Sequence, residues 1–198
     1  MIQSAIFSLC GRYRYQLARS WDATLPFLLF IMLNPSTADA TLDDRTIRRC
    51  MGFARDNGFG GIRVINLFAF RATSPVDMFA ATDPVGPEND RYIQQALREA
   101  PQSKTVVCAW GSNARNHPRV SAVLELIVKT GYVPHVLKLN EGDVPAHPLY
   151  LSGSLRPKPW FPKSLSQLPP ISGLHLRFAD CSLQVDEVTQ PLGQHPQG

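Results

Sequence analysis

The sequence predicts an α/β protein, a three-layer α/β/α sandwich around a central, mainly parallel four-stranded sheet, with an N-terminal β-hairpin. Three observations lead to this fold class. Residues 27–33 form an unbroken apolar run, which is typical of a strand buried on both faces within a parallel sheet. Strand-like and helix-like segments then alternate along the chain. The helical segments carry their apolar residues on one face, as crossover helices do.

The hairpin is predicted within residues 2–20, with its turn near Gly11. Tyr13 and Tyr15 flank Arg14 there, and this alternation of apolar and charged residues has the two-residue period of a strand.

The core elements after the apolar run follow from periodicity and from helix-ending residues. In the first helix Ile47, Met51 and Ala54 share one face, and Gly58 ends it. Pro87 suits the first position of the second helix. The predicted helices are 44–57, 87–99 and 118–130, and the predicted strands after the first are 63–67, 104–110 and 133–139.

Residues 1–162 are predicted to form a single α/β domain, and residues 163–198 a C-terminal extension. Prolines interrupt any helical pattern after Phe161. Leu174, Leu176 and Phe178 alternate with other residues, so the extension is either partly disordered or adds one edge strand.

Composition narrows the function classes. Hydrophobic residues make up 44% of the chain and charged residues 18%, which is enough apolar material for a sizeable core. The longest apolar run is too short for a bilayer, and no secretory signal is visible, so we expect a cytoplasmic protein with no membrane partner. A net charge of +4 permits a nucleic-acid partner without requiring one. The oligomeric state stays open.

Several common cofactor and catalytic motifs are absent from the sequence. The four cysteines form no Cys-x-x-Cys pair, so we expect buried, reduced thiols and no metal site. The sequence also lacks a dinucleotide fingerprint, a phosphate-binding P-loop, a zinc-protease motif and a serine-hydrolase elbow. No cofactor is therefore expected.

Polar and aromatic residues follow the end of each predicted core strand. Since the carboxyl ends of parallel strands meet at one edge of a sheet, these residues are expected to converge on one crevice. Each also has an ordinary interpretation. Asn34-Pro35 could be only a turn, and Asn66 could be a strand cap. Trp110 could be a core residue, and His147 a surface residue. The candidate binding residues are Asn34, Pro35, Ser36, Thr37, Asn66, Phe68, Phe70, Arg71, Trp110, Gly111 and His147.

Five strings resemble the bacterial domain-of-unknown-function family 1643. The resemblance runs from about residue 5 to 161, and the family brings no established activity with it. The strings are Met-Leu-Asn-Pro-Ser-Thr-Ala-Asp at 32–39, Thr-Ile-Arg-Arg-Cys at 46–50, Asn-Leu-Phe-Ala-Phe-Arg-Ala-Thr at 66–73, Asp-Pro-Val-Gly-Pro-Glu-Asn-Asp at 83–90 and His-Pro-Leu-Tyr-Leu at 147–151.

Four motifs in the same order resemble the uracil-DNA glycosylase superfamily over residues 26–160. They are the Asn34-Pro35 turn, the strand ending at Asn66, the Trp110-Gly111 strand end, and the motif beginning at His147. This resemblance implies a uracil-DNA-glycosylase-like fold and hydrolysis of the N-glycosidic bond of an unusual or modified base. The first motif has Asn34 where many members have Asp, and an amide can orient a water but cannot accept its proton.

The resemblance also implies roles for individual residues. Asn34 would hold the attacking water, with backbone N–H groups near Ser36 and Thr37 and the side chain of His147 stabilising the departing base. Asn66 would pair with the base edge, and Phe68 or Phe70 could stack on it. Asp39, Asp43 or Asp44 could supply a carboxylate, or could only cap the helix. The catalytic candidates are Asn34, His147 and Asp39.

Basic residues near the predicted crevice are candidates for contacts to a nucleic-acid backbone. Arg48 and Arg49 lie on the first helix, and Arg156 follows the His-Pro motif. Two functions therefore remain open from the sequence. One is a base glycosylase acting on DNA or another nucleic acid, and the other is a non-catalytic domain that binds a nucleobase-containing ligand or nucleotide.

Overall fold

A computed structural model describes residues 1–100 and 105–162. The strands are β1 (Ile2–Phe7), β2 (Arg14–Ser20), β3 (Phe27–Met32), β4 (Gly61–Asn66), β5 (Thr105–Cys108), β6 (Val133–Val136), β7 (Leu139–Asn140), β8 (Val144–Pro145) and β9 (Lys158–Pro159). The α-helices are α1 (Arg45–Asp56), α2 (Pro75–Ala80), α3 (Asn89–Glu99) and α4 (Pro118–Lys129). No helix in these two ranges has the length and apolar character that crossing a bilayer requires.

Among the described residues, the main sheet has seven strands in the order β1-β2-β4-β3-β5-β6-β9, so the predicted count of four is wrong. The four strands β4, β3, β5 and β6 are mutually parallel, and these are the four core strands predicted from the sequence. The sheet is wider because the hairpin β1-β2 pairs antiparallel with β4, and the two-residue strand β9 pairs antiparallel with β6. The mixed α/β architecture with a parallel centre is confirmed.

Strand β3 separates two hydrophobic clusters, because successive side chains of a strand point to opposite faces. Leu28, Phe30 and Met32 pack with the buried face of α1. The alternate residues of the strand pack on the opposite face with buried residues of α3 and α4. Both faces of the parallel strands are thus covered by helices, as the continuous apolar run indicated.

The helix boundaries follow local capping chemistry. The Asp44 carboxylate caps α1 by accepting a hydrogen bond from the Ile47 N–H at 2.8 Å. Helix α2 lies between β4 and α3, where no element was predicted from the sequence. Ser74 caps this helix and Pro75 occupies its first turn, a signal that the sequence contained.

A β-bulge changes the expected pattern of the N-terminal hairpin. Ile6 pairs with Gln16 but Phe7 pairs with Arg14, so Tyr15 is an extra residue on β2. A bulge of this kind re-aims the neighbouring side chains. Both Arg14 and Tyr15 are buried at this bulge.

Two remaining predictions have different outcomes. Cys50 and Cys108 are buried free thiols as expected, whereas Cys10 is exposed because it lies in the turn of the hairpin. The predicted extension 163–198, with its candidate edge strand and Cys181, lies outside the described residues.

Candidate functional site

A crevice of about 460 Å³ opens at the carboxyl ends of β3, β4 and β5. Its volume is within the range of small-molecule sites. From β3 the chain passes through α1 to β4 on one side of β3, and β5 lies on the other side of β3. The strand order therefore reverses next to β3, and parallel sheets bind ligands at such a point. The structure brings together here six of the sequence-predicted residues, which are Asn34, Ser36, Asn66, Trp110, Gly111 and His147.

Asn34 is clamped to the backbone on the crevice wall. Its side-chain Nδ2 donates to the carbonyl oxygens of Pro35, at 3.1 Å, and Ala72, at 2.8 Å. Both amide hydrogens are therefore used, and the bond to Ala72 joins the loop after β3 to the loop after β4. The Oδ1 atom remains as an acceptor, and a carboxylate in the same place would face two carbonyl oxygens with no proton to donate.

Asn66 ends β4 with its side chain almost completely buried. Its Nδ2 atom has no hydrogen-bond partner among the described residues. Its backbone is nevertheless held firmly, because the Asn89 amide donates to the carbonyl oxygens of Asn66, at 3.1 Å, and Leu67, at 2.9 Å. Arg119 adds a bond of 2.8 Å from Nε to the Leu67 carbonyl. A fixed backbone thus presents an unsatisfied donor to the crevice.

His147 has a defined tautomer. Its Nδ1 accepts a hydrogen bond from the Leu149 N–H at 3.3 Å, which leaves the proton on Nε2 in the neutral ring. Burial lowers the pKa of His147, and the Asp44 carboxylate partly offsets this effect. The ring is therefore a neutral hydrogen-bond donor at pH 7.

Gly111 and Trp110 form the wall beside this histidine. Gly111 has φ +75°, and a Cβ atom there would lie 3.3 Å from the His147 Cβ, so glycine is needed for both backbone and space. Trp110 is buried and packs edge-on against Trp160 with ring centroids 5.8 Å apart. Trp110 is consequently both a core residue and a lining residue.

Arg14 and Asp44 bring opposite charges to the crevice. Arg14 is buried, with Nη1 donating to the Ala38 carbonyl at 2.7 Å, and burial lowers its pKa to about 10. One oxygen of Asp44 is occupied by the helix cap described above. No ion pair joins these two side chains within the described ranges.

The three aspartates weighed from the sequence have different positions. Asp39 does not line the crevice, because its Oδ1 accepts from the N–H groups of Thr41, at 2.8 Å, and Leu42, at 2.7 Å, in a local turn. These bonds hold its pKa below the ordinary value. Asp43 forms an ion pair with Arg19 at 2.7 Å. Asp44 is the one of the three that reaches the crevice.

The predicted aromatic residues and Arg71 lie away from the crevice lining. Phe68 is fully buried against Phe79 and the ring of His117, and Phe70 packs edge-on against Tyr13 at 5.9 Å. Arg71 lies over the ring of Phe7. These side chains pack in the interior or on the N-terminal hairpin, because the chain after Leu67 turns back towards that hairpin and Arg14 N–H bonds to Ala69 O at 2.9 Å.

The remaining predicted residues also do not line the crevice. Pro35 is buried and Thr37 is exposed. Arg48 and Arg49 donate to backbone carbonyls, of Asp43 and Leu151 respectively, and Arg156 donates to Asn57 Oδ1 at 3.3 Å. Among residues 1–100 and 105–162, no cluster of three or more His, Cys, Asp or Glu could hold a metal ion.

Sequence reasoning missed Arg14, Asn89 and Arg119 as parts of the site and of its support. Arg14 reaches the crevice because β2 runs antiparallel to β4, so its first residue lies at the edge where the parallel strands end. Asn89 lies in the Pro-Glu-Asn-Asp string, which was noted for its resemblance but given no role. Arg119 lies in the first turn of α4, where the helix dipole disfavours positive charge. This unfavourable position was the signal in the sequence that Arg119 has a structural partner.

We predict that Asn34→Asp destabilises the protein by about 1–3 kcal/mol at pH 7, because the carboxylate cannot donate to the two carbonyl oxygens. The loss should shrink as the pH falls and the new carboxyl group gains a proton. Chemical denaturation at pH 7 and pH 4 measures both effects. Asn113→Asp is the matched control, since Asn113 is an exposed residue of the same crevice. Equal stability of the two variants at pH 7 would show that the two hydrogen bonds donated by Asn34 Nδ2 do not stabilise the fold.

We predict that His147 titrates below pH 6.5, its ordinary value, when followed by NMR of the ring protons. Because the pKa of His147 is lower in the folded state, the contribution of the neutral ring to the free energy of unfolding is fully present above pH 6.5. This contribution is lost as the pH falls through the folded-state pKa. His147→Asn, which keeps an acceptor for the Leu149 N–H but cannot titrate, should flatten this part of the stability profile. A midpoint at or above 6.5 would show that the ring is not held neutral.

Comparison with known proteins gives one match. Residues 14–149 match the family described as "Protein of unknown function (DUF1643)". No curated protein and no solved structure matches the chain. These comparisons support the first of the two resemblances drawn from the sequence and give no support to the uracil-DNA glycosylase resemblance. Since the matched residues make up more than half of the chain, the protein belongs to the DUF1643 family.

Proposed function

We propose that the strand-end crevice binds a nucleobase and that the protein hydrolyses the N-glycosidic bond of an unusual or modified base in nucleic acid. The reaction is taken from the four strand-end motifs that resemble the uracil-DNA glycosylase superfamily. The observation that carries the proposal is that Asn66, a residue of the crevice lining, has a buried Nδ2 without a partner in the described part of the chain. Buried donors are normally paired, so an unpaired one in a crevice points to a ligand acceptor.

The neighbouring groups supply what a nucleobase requires. Asn66 Nδ2 and His147 Nε2 are donors for carbonyl or ring-nitrogen acceptors, the Asn66 amide also carries an acceptor oxygen for a ring or amino N–H, and Asn34 Oδ1 is left to hold the attacking water. Trp110 adds an aromatic wall. A planar heterocycle with acceptors and donors along its edge complements this set, and a base within a duplex would first have to leave the stack.

The proposed hydrolysis uses Asp44 in place of Asp39. The Asp44 oxygen that is not engaged by the helix cap takes a proton from a water held by Asn34 Oδ1, and the water oxygen bonds to the anomeric carbon. The bond between that carbon and the base nitrogen breaks, and its electron pair leaves with the base. The Nε2–H group of His147 stabilises the negative charge until the base takes a proton from the medium, and Asp44 releases the proton of the water to the medium.

A second candidate function is a non-catalytic nucleobase or nucleotide binding domain. Two observations favour it. Both amide hydrogens of Asn34 are committed to backbone carbonyls, and Asp44 already caps α1. Both side chains thus have a structural role that does not depend on catalysis.

We expect Asn66→Leu to stabilise the folded protein, because leucine is similar in size to asparagine and has no buried donor to leave unpaired. The same substitution should weaken nucleobase binding by roughly tenfold or more, because the donor to the base is lost. Denaturation measures the first effect, and calorimetry with nucleosides measures the second. Asn113→Leu, at an exposed position of the same crevice, is the control for binding. A loss of stability in Asn66→Leu would indicate that the amide has a structural role instead.

Catalysis is tested by incubating the protein with nucleosides and with single-stranded and duplex oligonucleotides that carry modified bases. Mass spectrometry should detect free base, and Asp44→Asn, which retains a capping side chain, should reduce its release by about 100-fold or more. Binding without release of any base would establish the second candidate function. The absence of both binding and release would overturn the proposal.

A further inference from the structure

Arg14 is a buried cation at the crevice that the proposed chemistry does not use. Its side chain is 3% exposed and lines the crevice. Its Nη1 atom is tied to the Ala38 carbonyl, but its Nε atom has no hydrogen-bond partner among the described residues. The edge of the guanidinium formed by Nε and Nη2 is therefore left without a bond to the described part of the chain.

Within residues 1–100 and 105–162, no carboxylate forms a direct ion pair with Arg14. Asp44 and Asp39 are the carboxylates whose charges favour the protonated form, and Arg71 and Arg19 are the like charges that oppose it. Asp43 is engaged by Arg19 at 2.7 Å. A buried charge without a close partner is costly, and such charges in proteins are usually paired with a counter-ion or a ligand.

The free guanidinium edge has the geometry of an oxyanion site. Nε–H and one Nη2–H group are parallel donors that match two oxygens of a phosphate group, and these charge-assisted bonds are stronger than neutral ones. Asn66, whose Nδ2 is also unpaired, lines the same crevice. Two residues of one crevice lining, one of them charged, thus each keep a buried donor with no partner in residues 1–100 and 105–162.

We propose that Arg14 binds the phosphate of a nucleotide whose base occupies the crevice, so that the ligand class is a nucleoside phosphate rather than a free base or nucleoside. This inference rests on the proposed nucleobase site. Asn66 and His147 engage the base, and Arg14 engages the phosphate. The phosphate is either the monoester of a free nucleotide or a phosphodiester of a single-stranded nucleic acid.

The test compares nucleosides with their 5′-monophosphates by calorimetry on the full chain. The monophosphate should bind at least tenfold more tightly than the matching nucleoside. In Arg14→Gln this advantage should disappear while nucleoside affinity stays unchanged, and in Arg14→Lys it should be reduced. Arg45→Gln, at an exposed position outside the crevice lining, should keep the full advantage.

A second variant decides the question if Arg14→Gln does not fold. Asp44→Asn keeps the helix cap and removes a negative charge from the crevice, so the phosphate advantage should increase several-fold. An unchanged or smaller advantage in this variant would overturn the assignment of Arg14. A dinucleoside monophosphate that keeps the advantage identifies a phosphodiester, and one that loses it identifies the monoester.

The outcomes separate this inference from the proposed function. If nucleosides bind and their monophosphates bind no more tightly, the phosphate site is wrong and the nucleobase site stands. If nucleosides do not bind but inorganic phosphate binds in a manner that depends on Arg14, the anion site stands and the nucleobase site is wrong. If neither nucleosides, nucleotides nor phosphate binds, both are overturned.

Discussion

The position of β3, between two parallel neighbours, determines where everything else in the molecule can lie. Its backbone pairs with β4 on one side and β5 on the other, so the chain must leave this strand in one direction and return later on the other. The helices that make these connections pack on opposite faces of the sheet. A crevice at the end of β3 follows from this geometry, and the residues after β3, β4 and β5 must line it.

Polar side chains around the crevice differ in what their donors contact. Asn34, Asn89 and Arg119 donate to backbone carbonyls and so fix the loops and strand ends that form the walls. Asn66 and Arg14 are buried in the same region, yet each keeps a donor without a partner in the described chain. An unsatisfied buried donor lowers stability, and a ligand that accepts from it recovers the loss on binding. The donors that bond to the backbone thus hold the walls in place, and under the proposed function the unbonded donors of Asn66 and Arg14 engage the ligand.

The sequence predicted the parts of the fold that depend on local periodicity. The apolar run at 27–33 required burial on both faces, and the polar residues after each parallel strand had to meet at one edge. The position of Arg14 at the crevice was not predicted, because it depends on two features that the local pattern does not show. These are the antiparallel pairing of β2 with β4 and the bulge at Tyr15. Phe68 was predicted as a stacking residue, but the direction of a side chain after a strand end depends on the turn that follows. The choice of Asp44 over Asp39 likewise depended on loop geometry that spacing does not fix.

The proposed function requires that the unsatisfied donors of the crevice bind a nucleobase-containing ligand. A crystal structure of the protein with a bound nucleoside monophosphate tests this requirement. We expect the edge of the base within hydrogen-bond distance of Asn66 Nδ2, with the phosphate against the Nε edge of Arg14. A ligand bound elsewhere, or one bound in the crevice with no acceptor at Asn66 Nδ2, would contradict it.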